Sequence, residues 1–165
     1  MIRALEKIQE VEVTSNTNSV TLTGIDNTYE FHQVVFTNVR VDAAKHMYVV
    51  FQNSGGDSSS TYGRGNLLLR SNTTHGDGRQ ALLTSPVALL TNLDTGNYSA
   101  NCTINCFSFS NALTASFITY DSSHIESGHA HGYKAGIASS DTEANTGLKF
   151  CMQDAANMTA GKFTL

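Results

Sequence analysis

The sequence predicts an all-β fold, in which two antiparallel sheets pack as a sandwich with a jelly-roll-like topology and at most a short N-terminal helix. Three observations predict it. Apolar and polar residues alternate with a period of two over most of the chain. Short segments of this kind recur at intervals of about ten residues, separated by stretches rich in Gly, Ser and Asn. The single proline, Pro86, leaves these segments uninterrupted.

The first elements can be placed by their patterns. Residues 1–8 have the pattern of at most one short amphipathic turn, whereas Val11 and Val13 alternate with glutamates, as expected of a half-buried strand. Residues 29–41 are apolar on both faces, which predicts a central strand. Residues 47–51 form the next predicted strand, and the short polar link at residues 42–45 predicts a hairpin loop between the two.

The second part of the chain begins with two polar segments, residues 53–61 and 71–80, whose turn-forming composition predicts exposed loops. Further strands are predicted at residues 66–70, 87–90, 102–109, 113–120, 133–137, 148–152 and 162–165. Alternate residues of these strands should form the core between the sheets: Val35, Val39, Val49, Phe51, Leu68, Phe107, Phe109, Phe117 and Phe150.

No repeat or linker divides the 165 residues. We therefore expect one β-sandwich domain over residues 15–165, preceded by an N-terminal arm and first strand over residues 1–14, a candidate anchoring segment. Cysteines are few, and Cys102 and Cys106 lie too far apart along a strand to bridge. Cys151 could pair with either of them across strands, but we expect all three to be free thiols, as in a reducing cytoplasm.

Composition excludes several classes of function. Charged residues make up only 15% of the chain and its net charge is −4, so no basic stripe is present to bind nucleic acid. No apolar run approaches the roughly 18 residues of a membrane span, and we expect no membrane insertion. The N-terminus lacks the apolar core of a signal peptide. Motifs that pair a nucleophile with a base are missing from the sequence, so we expect no catalytic residues, no enzyme activity and no cofactor.

One cluster of histidines has the spacing of a metal site. On a strand, His129 and His131 would point to the same face, and His124 or Glu126 would complete a zinc site. The alternative is that these histidines lie on a surface loop, where protonation near pH 6.5 would change its charge.

A second candidate site would bind a glycan. Aromatic and polar side chains on loops form such sites in lectin-like sandwiches. The candidates here are Tyr62, Arg64, His75 and Arg79, and Tyr98 and Tyr133 could also contribute aromatic rings. The alternative is that the tyrosines pack between sheet and surface as amphipathic side chains.

Several segments resemble those of small tailed-bacteriophage virion structural proteins of the decoration or tail-fibre-like type. The segments are residues 5–8 (LEKI), 24–29 (GIDNTY), 34–39 (VVFTNV), 47–51 (MYVVF), 148–150 (LKF) and 157–165 (NMTAGKFTL). These are signatures of turns and strands rather than of chemistry, and residues 72–94 carry none of the resemblance.

The resemblance implies a structural protein at the virion surface, in the capsid or tail, made in the cytoplasm of the host bacterium. Capsid decoration, with multimeric contacts that stabilise the shell, is the leading expectation, and a tail or head-fibre tip that binds a host surface glycan is the alternative. The implied partners are other copies of the chain in a homotrimer and the major capsid protein or a neighbouring virion protein. A decoration protein should turn residues 1–14 to the shell, whereas an adhesin should present residues 54–62 and 71–80.

Overall fold

The computed structural model describes residues 5–59, 61–71, 76–84, 86–140 and 142–165, and these fold as two antiparallel sheets packed face to face. Within them lie thirteen strands: β1 (Glu10–Val13), β2 (Ser19–Thr23), β3 (His32–Val41), β4 (Lys45–Asn53), β5 (Gly56–Asp57), β6 (Thr61–Arg70), β7 (Gly76–Thr84), β8 (Val87–Leu93), β9 (Ala100–Phe107), β10 (Phe117–Glu126), β11 (His129–Ser139), β12 (Asn145–Met152) and β13 (Met158–Thr164). This part of the chain contains no helix, which confirms the predicted all-β class. Accordingly, none of its elements is a helix that could span a membrane.

The strands pair in a nested order. One sheet has the order β1-β13-β3-β9-β10-β11-β6-β7, and the other has β2-β12-β4 with β5 and β8 both on the far side of β4. Thus β1 pairs with β13, β2 with β12, β3 with β9 and β4 with β8. A long hairpin rolled into two sheets has this pairing, which is the topology of a jelly roll. The predicted jelly-roll sandwich is therefore confirmed.

Two additional hairpins extend the eight-stranded sheet beyond the jelly roll. Strands β10 and β11 are inserted after β9, and β6 and β7 complete the sheet by pairing β6 with β11. The β10–β11 hairpin turns through Ser127 and Gly128, whose φ angles are 51° and 76°. Two residues with positive φ are typical of the type I′ turn, which matches the twist of the flanking strands.

Three predicted connections are wrong. Residues 42–45 do not close a hairpin, because β3 and β4 belong to different sheets. The Asp42 carboxylate instead accepts hydrogen bonds from the backbone and side-chain amides of Asn157, at 2.7 and 2.8 Å. The predicted loop at 71–80 contains the start of β7, and that at 53–61 contains β5. Polar strands of an edge hairpin have the composition of a loop, which explains these errors.

The core is formed by both sheets, and six of the predicted core residues are buried: Val39, Val49, Phe51, Leu68, Phe109 and Phe150. The prediction was wrong for Val35 and Phe107, which are half-buried, and for Phe117, which is exposed.

Two backbone irregularities explain the error. Asn38 and Ser108 have φ angles of 56° and 59°, and at each the alternation of side chains reverses. Phe36 and Val39 consequently both face inward, across a register shift between β3 and β9. Counting by twos from Val39 therefore assigns Val35 to the wrong face.

The three cysteines are free thiols, with Cys102 and Cys106 buried and Cys151 partly exposed. Burial raises the pKa of Cys102, and it raises the pKa of Cys106 to about 12. Thiols that stay protonated are poor nucleophiles and poor metal ligands, so these two residues contribute to packing.

Candidate functional site

The structure brings together a cluster on the β10–β11 hairpin, formed by His124, Glu126 and His131 and named here the His–Glu cluster. One ligand atom from each residue lies within 4.8 Å of the others. His124 and His131 are directly opposite each other in the hairpin register, and Glu126 follows His124 on the same face of β10. The turn at 127–128 sets this register and hence creates the cluster.

Two of the three predicted metal ligands belong to this cluster. His124 and His131 are only 4% and 6% exposed and point between the sheets. His129 is exposed at the start of β11 and does not belong to the group. The third member is Glu126, which the sequence offered as one way to complete the site.

His124 is held in a defined orientation. Its Nε2 lies 3.1 Å from the backbone carbonyl of Thr91, on β8 of the other sheet. Its ring stacks on that of Tyr133, with centroids 5.8 Å apart and planes inclined by 10°. Its Nδ1 is buried and has no hydrogen-bond partner among the described residues. A buried polar atom without a partner costs about 1–3 kcal/mol.

Glu126 is held by two residues of β8. Its carboxylate accepts hydrogen bonds from the Thr91 hydroxyl and the Asn92 side-chain amide, both at 3.0 Å. Its Oε2 also lies 2.8 Å from Nδ1 of His131. These two atoms are not aligned for a hydrogen bond, and so Nδ1 of His131 is a second buried nitrogen without a hydrogen-bond partner in the described chain.

The protonation states follow from the surroundings. Burial, with a contribution from the neighbouring His131, lowers the pKa of His124 to about 4, and its imidazole is neutral at pH 7. Burial acts to raise the pKa of Glu126, but the hydrogen bonds from Asn92 and Thr91, together with the neighbouring His131 and His124, outweigh it and the pKa is lowered. The cluster thus presents a neutral imidazole beside a carboxylate. A cleft next to His124, lined also by Leu93 and Asp94, has no space for a water molecule.

A second feature lies on the outer face of the eight-stranded sheet, where Phe31, just before β3, forms an aromatic row with Phe107 of β9 and Phe117 of β10. The rings of Phe107 and Phe117 stack with centroids 4.7 Å apart, and Phe31 lies 5.8 Å from Phe107. Phe31 and Phe117 are 42% and 40% exposed. Leu67 and Leu69, the exposed neighbours of buried Leu68 on β6, face the same side.

A row of polar side chains, the amide row, lies next to the aromatic row on the same face. The side-chain amide of Gln33 donates to Asn105 at 3.0 Å, and that of Asn105 donates to Thr119 at 3.4 Å. The amide row ends at Thr119, whose register partners on the next two strands are Gly136 on β11 and Gly65 on β6. Together with Phe117, these glycines line a shallow concavity of about 540 Å³.

The aromatic row continues into a groove of about 670 Å³ beside the N-terminal segment. Leu5 and Ile8 line it on one side, and Tyr29 and Phe31 line it on the other. The Tyr29 hydroxyl donates a hydrogen bond to the Glu6 carboxylate across the groove. The backbone amide of Ile8 donates to the carbonyl of Leu165 at 2.7 Å, so from Ile8 onward the predicted N-terminal arm is joined to its own sheet.

Two of the predicted glycan-binding residues are buried. Tyr62 and Arg64 are 1% and 6% exposed, because their side chains alternate inward along β6. The Arg64 guanidinium lies 5.3 Å from the ring centre of Tyr133, which is buried as well. His75 lies outside the described residues, and Arg79 belongs to β7, opposite Gly65. Tyr98 is exposed.

The aromatic and amide rows were not found from the sequence, although their residue types were visible. The sequence pattern predicts Phe107 and Phe117 as core residues. The reversal at Ser108 moves Phe107 outward, and its register partner on β10, Phe117, faces outward with it. Comparison with known protein families, curated proteins and solved structures finds no match to this chain.

Proposed function

We propose that this protein is a structural component of a bacteriophage particle, where it decorates the capsid by binding a neighbouring particle protein through the outer face of its eight-stranded sheet. The observation that carries the proposal is the exposed aromatic row with the apolar groove that continues it. Contiguous apolar surface of this kind marks protein–protein contact sites. The resemblance of the sequence to phage virion proteins supplies the kind of particle.

The electrostatics of the chain support the same proposal. The chain has few charged residues that could prevent its sheet edges from pairing with other chains. Association with a neighbour is one way to cover an exposed edge or face. A protein that binds only the assembled shell stabilises that shell by mass action. A homotrimer remains our expectation for the free or bound protein.

Copy number in purified particles tests the location. Quantitative mass spectrometry should find the chain in near-stoichiometric ratio to the major capsid protein. A few copies per particle would instead place it on the tail or at a vertex, and its absence from particles would refute both locations.

A pair of surface variants tests the proposed face. Phe117→Lys places a charge in the aromatic row, and Leu113→Lys is the matched control because Leu113 is 87% exposed and does not belong to the row. Both variants should fold, since both side chains are exposed. Co-sedimentation with particles that lack the protein should be lost for F117K and kept for L113K. Equal binding of the two variants would contradict the proposed face.

The alternative function is recognition of a host surface glycan by a fibre tip. The observation that favours it is the aromatic row beside the amide row, because sugar rings stack on aromatic faces while amides bond their hydroxyls. A glycan array should then show binding that is lost in Phe117→Ala and in Asn105→Ala and kept in Leu113→Ala. If the protein binds no glycan and F117K no longer co-sediments with particles, the results support decoration rather than glycan recognition.

A further inference from the structure

We infer that the His–Glu cluster is a binding site for a divalent transition-metal ion, with Zn²⁺ as the best match. The inference does not depend on the proposed function. It rests on the donor set, on the unpartnered buried nitrogens and on the residues that hold the donors in place.

The donor set has the composition of a metal site. Two imidazole nitrogens and one carboxylate oxygen form the set that zinc accepts in His₂Glu sites, and imidazole also suits other late first-row ions. The three ligand atoms lie within 4.8 Å of one another. Tetrahedral zinc with bonds of about 2.0–2.2 Å holds its ligands about 3.4 Å apart. The widest gap between donors would therefore close by at most about 1.5 Å, and the 2.8 Å between Oε2 of Glu126 and Nδ1 of His131 would open by about 0.6 Å.

The buried nitrogens support a ligand at this place. Nδ1 of His124 and Nδ1 of His131 belong to side chains that are more than nine-tenths buried, and neither has a hydrogen-bond partner in the described residues. Nδ1 of His131 lies 2.8 Å from Oε2 of Glu126, and a ring nitrogen of His124 lies within 4.8 Å of the ligand atoms of both residues. An ion between them would coordinate both nitrogens and the carboxylate oxygen at once.

The surrounding residues orient the donors as they do around known metal ligands. A ligating histidine usually donates its other N–H to a carbonyl or carboxylate, which fixes its tautomer. Here Nε2 of His124 lies 3.1 Å from the Thr91 carbonyl, which directs Nδ1 away from it and leaves it free for an ion. The carboxylate of Glu126 is held by the Thr91 hydroxyl and the Asn92 amide.

The location indicates what the ion does. His124, Glu126 and His131 lie on one hairpin of the eight-stranded sheet, whereas Thr91 and Asn92 lie on β8 of the opposite sheet. We therefore assign the ion a structural role, in which it fixes the β10–β11 hairpin against β8.

Zinc binding by the purified full chain tests the inference. After removal of metal with a chelator, titration calorimetry should show about one Zn²⁺ per chain, and Zn²⁺ should raise the melting temperature. His131→Gln and Glu126→Gln should lose stoichiometric binding and the rise in melting temperature. The control is His129→Gln on the same hairpin, which should bind as the wild type does. Thr91→Val, which loses the hydroxyl bond to Glu126, should bind about 10–100-fold more weakly.

The results that would overturn the inference are equally specific. A folded wild type that binds no Zn²⁺ would refute it, as would binding that is lost in H129Q but unchanged in H131Q and E126Q. If the buried variants fail to fold, Co²⁺ bound to the wild type provides the second measurement. Its visible spectrum should show ligand-field bands of nitrogen and oxygen ligation. Thiolate charge-transfer bands would place the ion on the cysteines instead and contradict the inference.

Discussion

Gly147 illustrates how a single residue limits the fold. A Cβ atom built on Gly147 would lie 2.1 Å from the carbonyl oxygen of Leu22 on the neighbouring strand β2. Gly65, on β6, has open space at the same position. A side chain is therefore sterically excluded at Gly147 but not at Gly65, although both residues lie in strands.

We predict that Gly147→Ala destabilises the protein by about 1–3 kcal/mol or more, because the backbone of β12 must move away from β2. Gly65→Ala is the control, and it should change the free energy of unfolding by less than about 1 kcal/mol, towards greater stability. Urea unfolding of both variants measures the difference. Equal stabilities would mean that β2 and β12 are not as close as described.

His32 links burial to pH at the residue scale. Its side chain is buried, and its Nε2 has no hydrogen-bond partner in the described part of the chain. Burial lowers the pKa of His32 below its usual 6.5, while the charge of Asp26 acts to raise it. The unfolded chain therefore binds a proton more readily than the folded one between the lowered pKa and pH 6.5.

From this sign we predict that the contribution of His32 to stability is fully present above about pH 6.5 and is lost as the pH falls towards the lowered folded pKa. In His32→Gln, the free energy of unfolding should fall less between pH 7 and pH 5 than in the wild type. Chemical unfolding at a series of pH values measures the two slopes. A variant with the wild-type slope would contradict the prediction.

The His–Glu cluster shows how far a site can be predicted from residues alone. Its three members lie within eight consecutive residues, so the spacing indicated them directly. His129 and His131 share a face of β11, but His129 is exposed next to the turn whereas His131 is buried. The spacing of the histidines does not encode this difference in burial. For that reason His129 was predicted as a ligand and Glu126 only as one way to complete the site.

At the scale of elements, the irregular residue Asn38 decides which face of β3 is buried. Its φ of 56° lies in the left-handed region, where asparagine is tolerated and β-branched residues are not. Its backbone N–H lies where the β3–β9 register shifts, and it donates to the side-chain oxygen of Asn101 at 3.0 Å. The strand can bulge at Asn38 because the residue tolerates a positive φ and because its backbone N–H has a hydrogen-bond acceptor.

We predict that Asn38→Val destabilises the protein by about 1–2 kcal/mol, because a β-branched residue is strained in the left-handed conformation that asparagine tolerates. Asn38→Gly is the matched control and should leave the stability within about 1 kcal/mol of the wild type, because glycine adopts this conformation without strain. Thermal unfolding of the two variants gives the comparison. If valine is tolerated as well as glycine, the bulge is not at Asn38.

The strands themselves were mostly predictable, since alternation over β3, β4, β9 and β12 follows local sequence. The exceptions have a common cause. Strands β5 and β7 are short or polar members of edge hairpins, so their sequences resemble loops. Alternation also breaks at Asn38 and Ser108, where positive φ angles reverse the faces, and no period-two pattern crosses such a point unchanged.

At the scale of the whole molecule, three phenylalanines join the two sheets. Phe36 and Phe163 come from the eight-stranded sheet, and Phe150 comes from the five-stranded sheet. Their ring centroids lie 5.3–5.7 Å apart and all three side chains are fully buried. Aromatic pairs at such distances add to the stabilisation that comes from burial alone.

We predict that Phe150→Ala destabilises the protein by about 3–5 kcal/mol, because the cavity lies where the sheets meet. Phe117→Ala removes the same ring from an exposed position and should cost less than about 1 kcal/mol. Denaturant unfolding followed by circular dichroism and by tyrosine fluorescence should show one transition for both probes. Separate transitions would mean that the sheets do not unfold as a unit.

The sequence by itself determined that this chain is an all-β sandwich and that Cys102 and Cys106 do not bridge each other, since strand periodicity and cysteine spacing are local properties. The tertiary structure decided which strands pair, which face of each is buried and where side chains distant in sequence meet. Thr91 and Asn92, for example, meet Glu126 only because β8 packs against the β10–β11 hairpin. An alternation with a period of two defines the two faces of a strand, but it does not determine which strand pairs with it or which face is buried. Contacts between residues distant in sequence determine both.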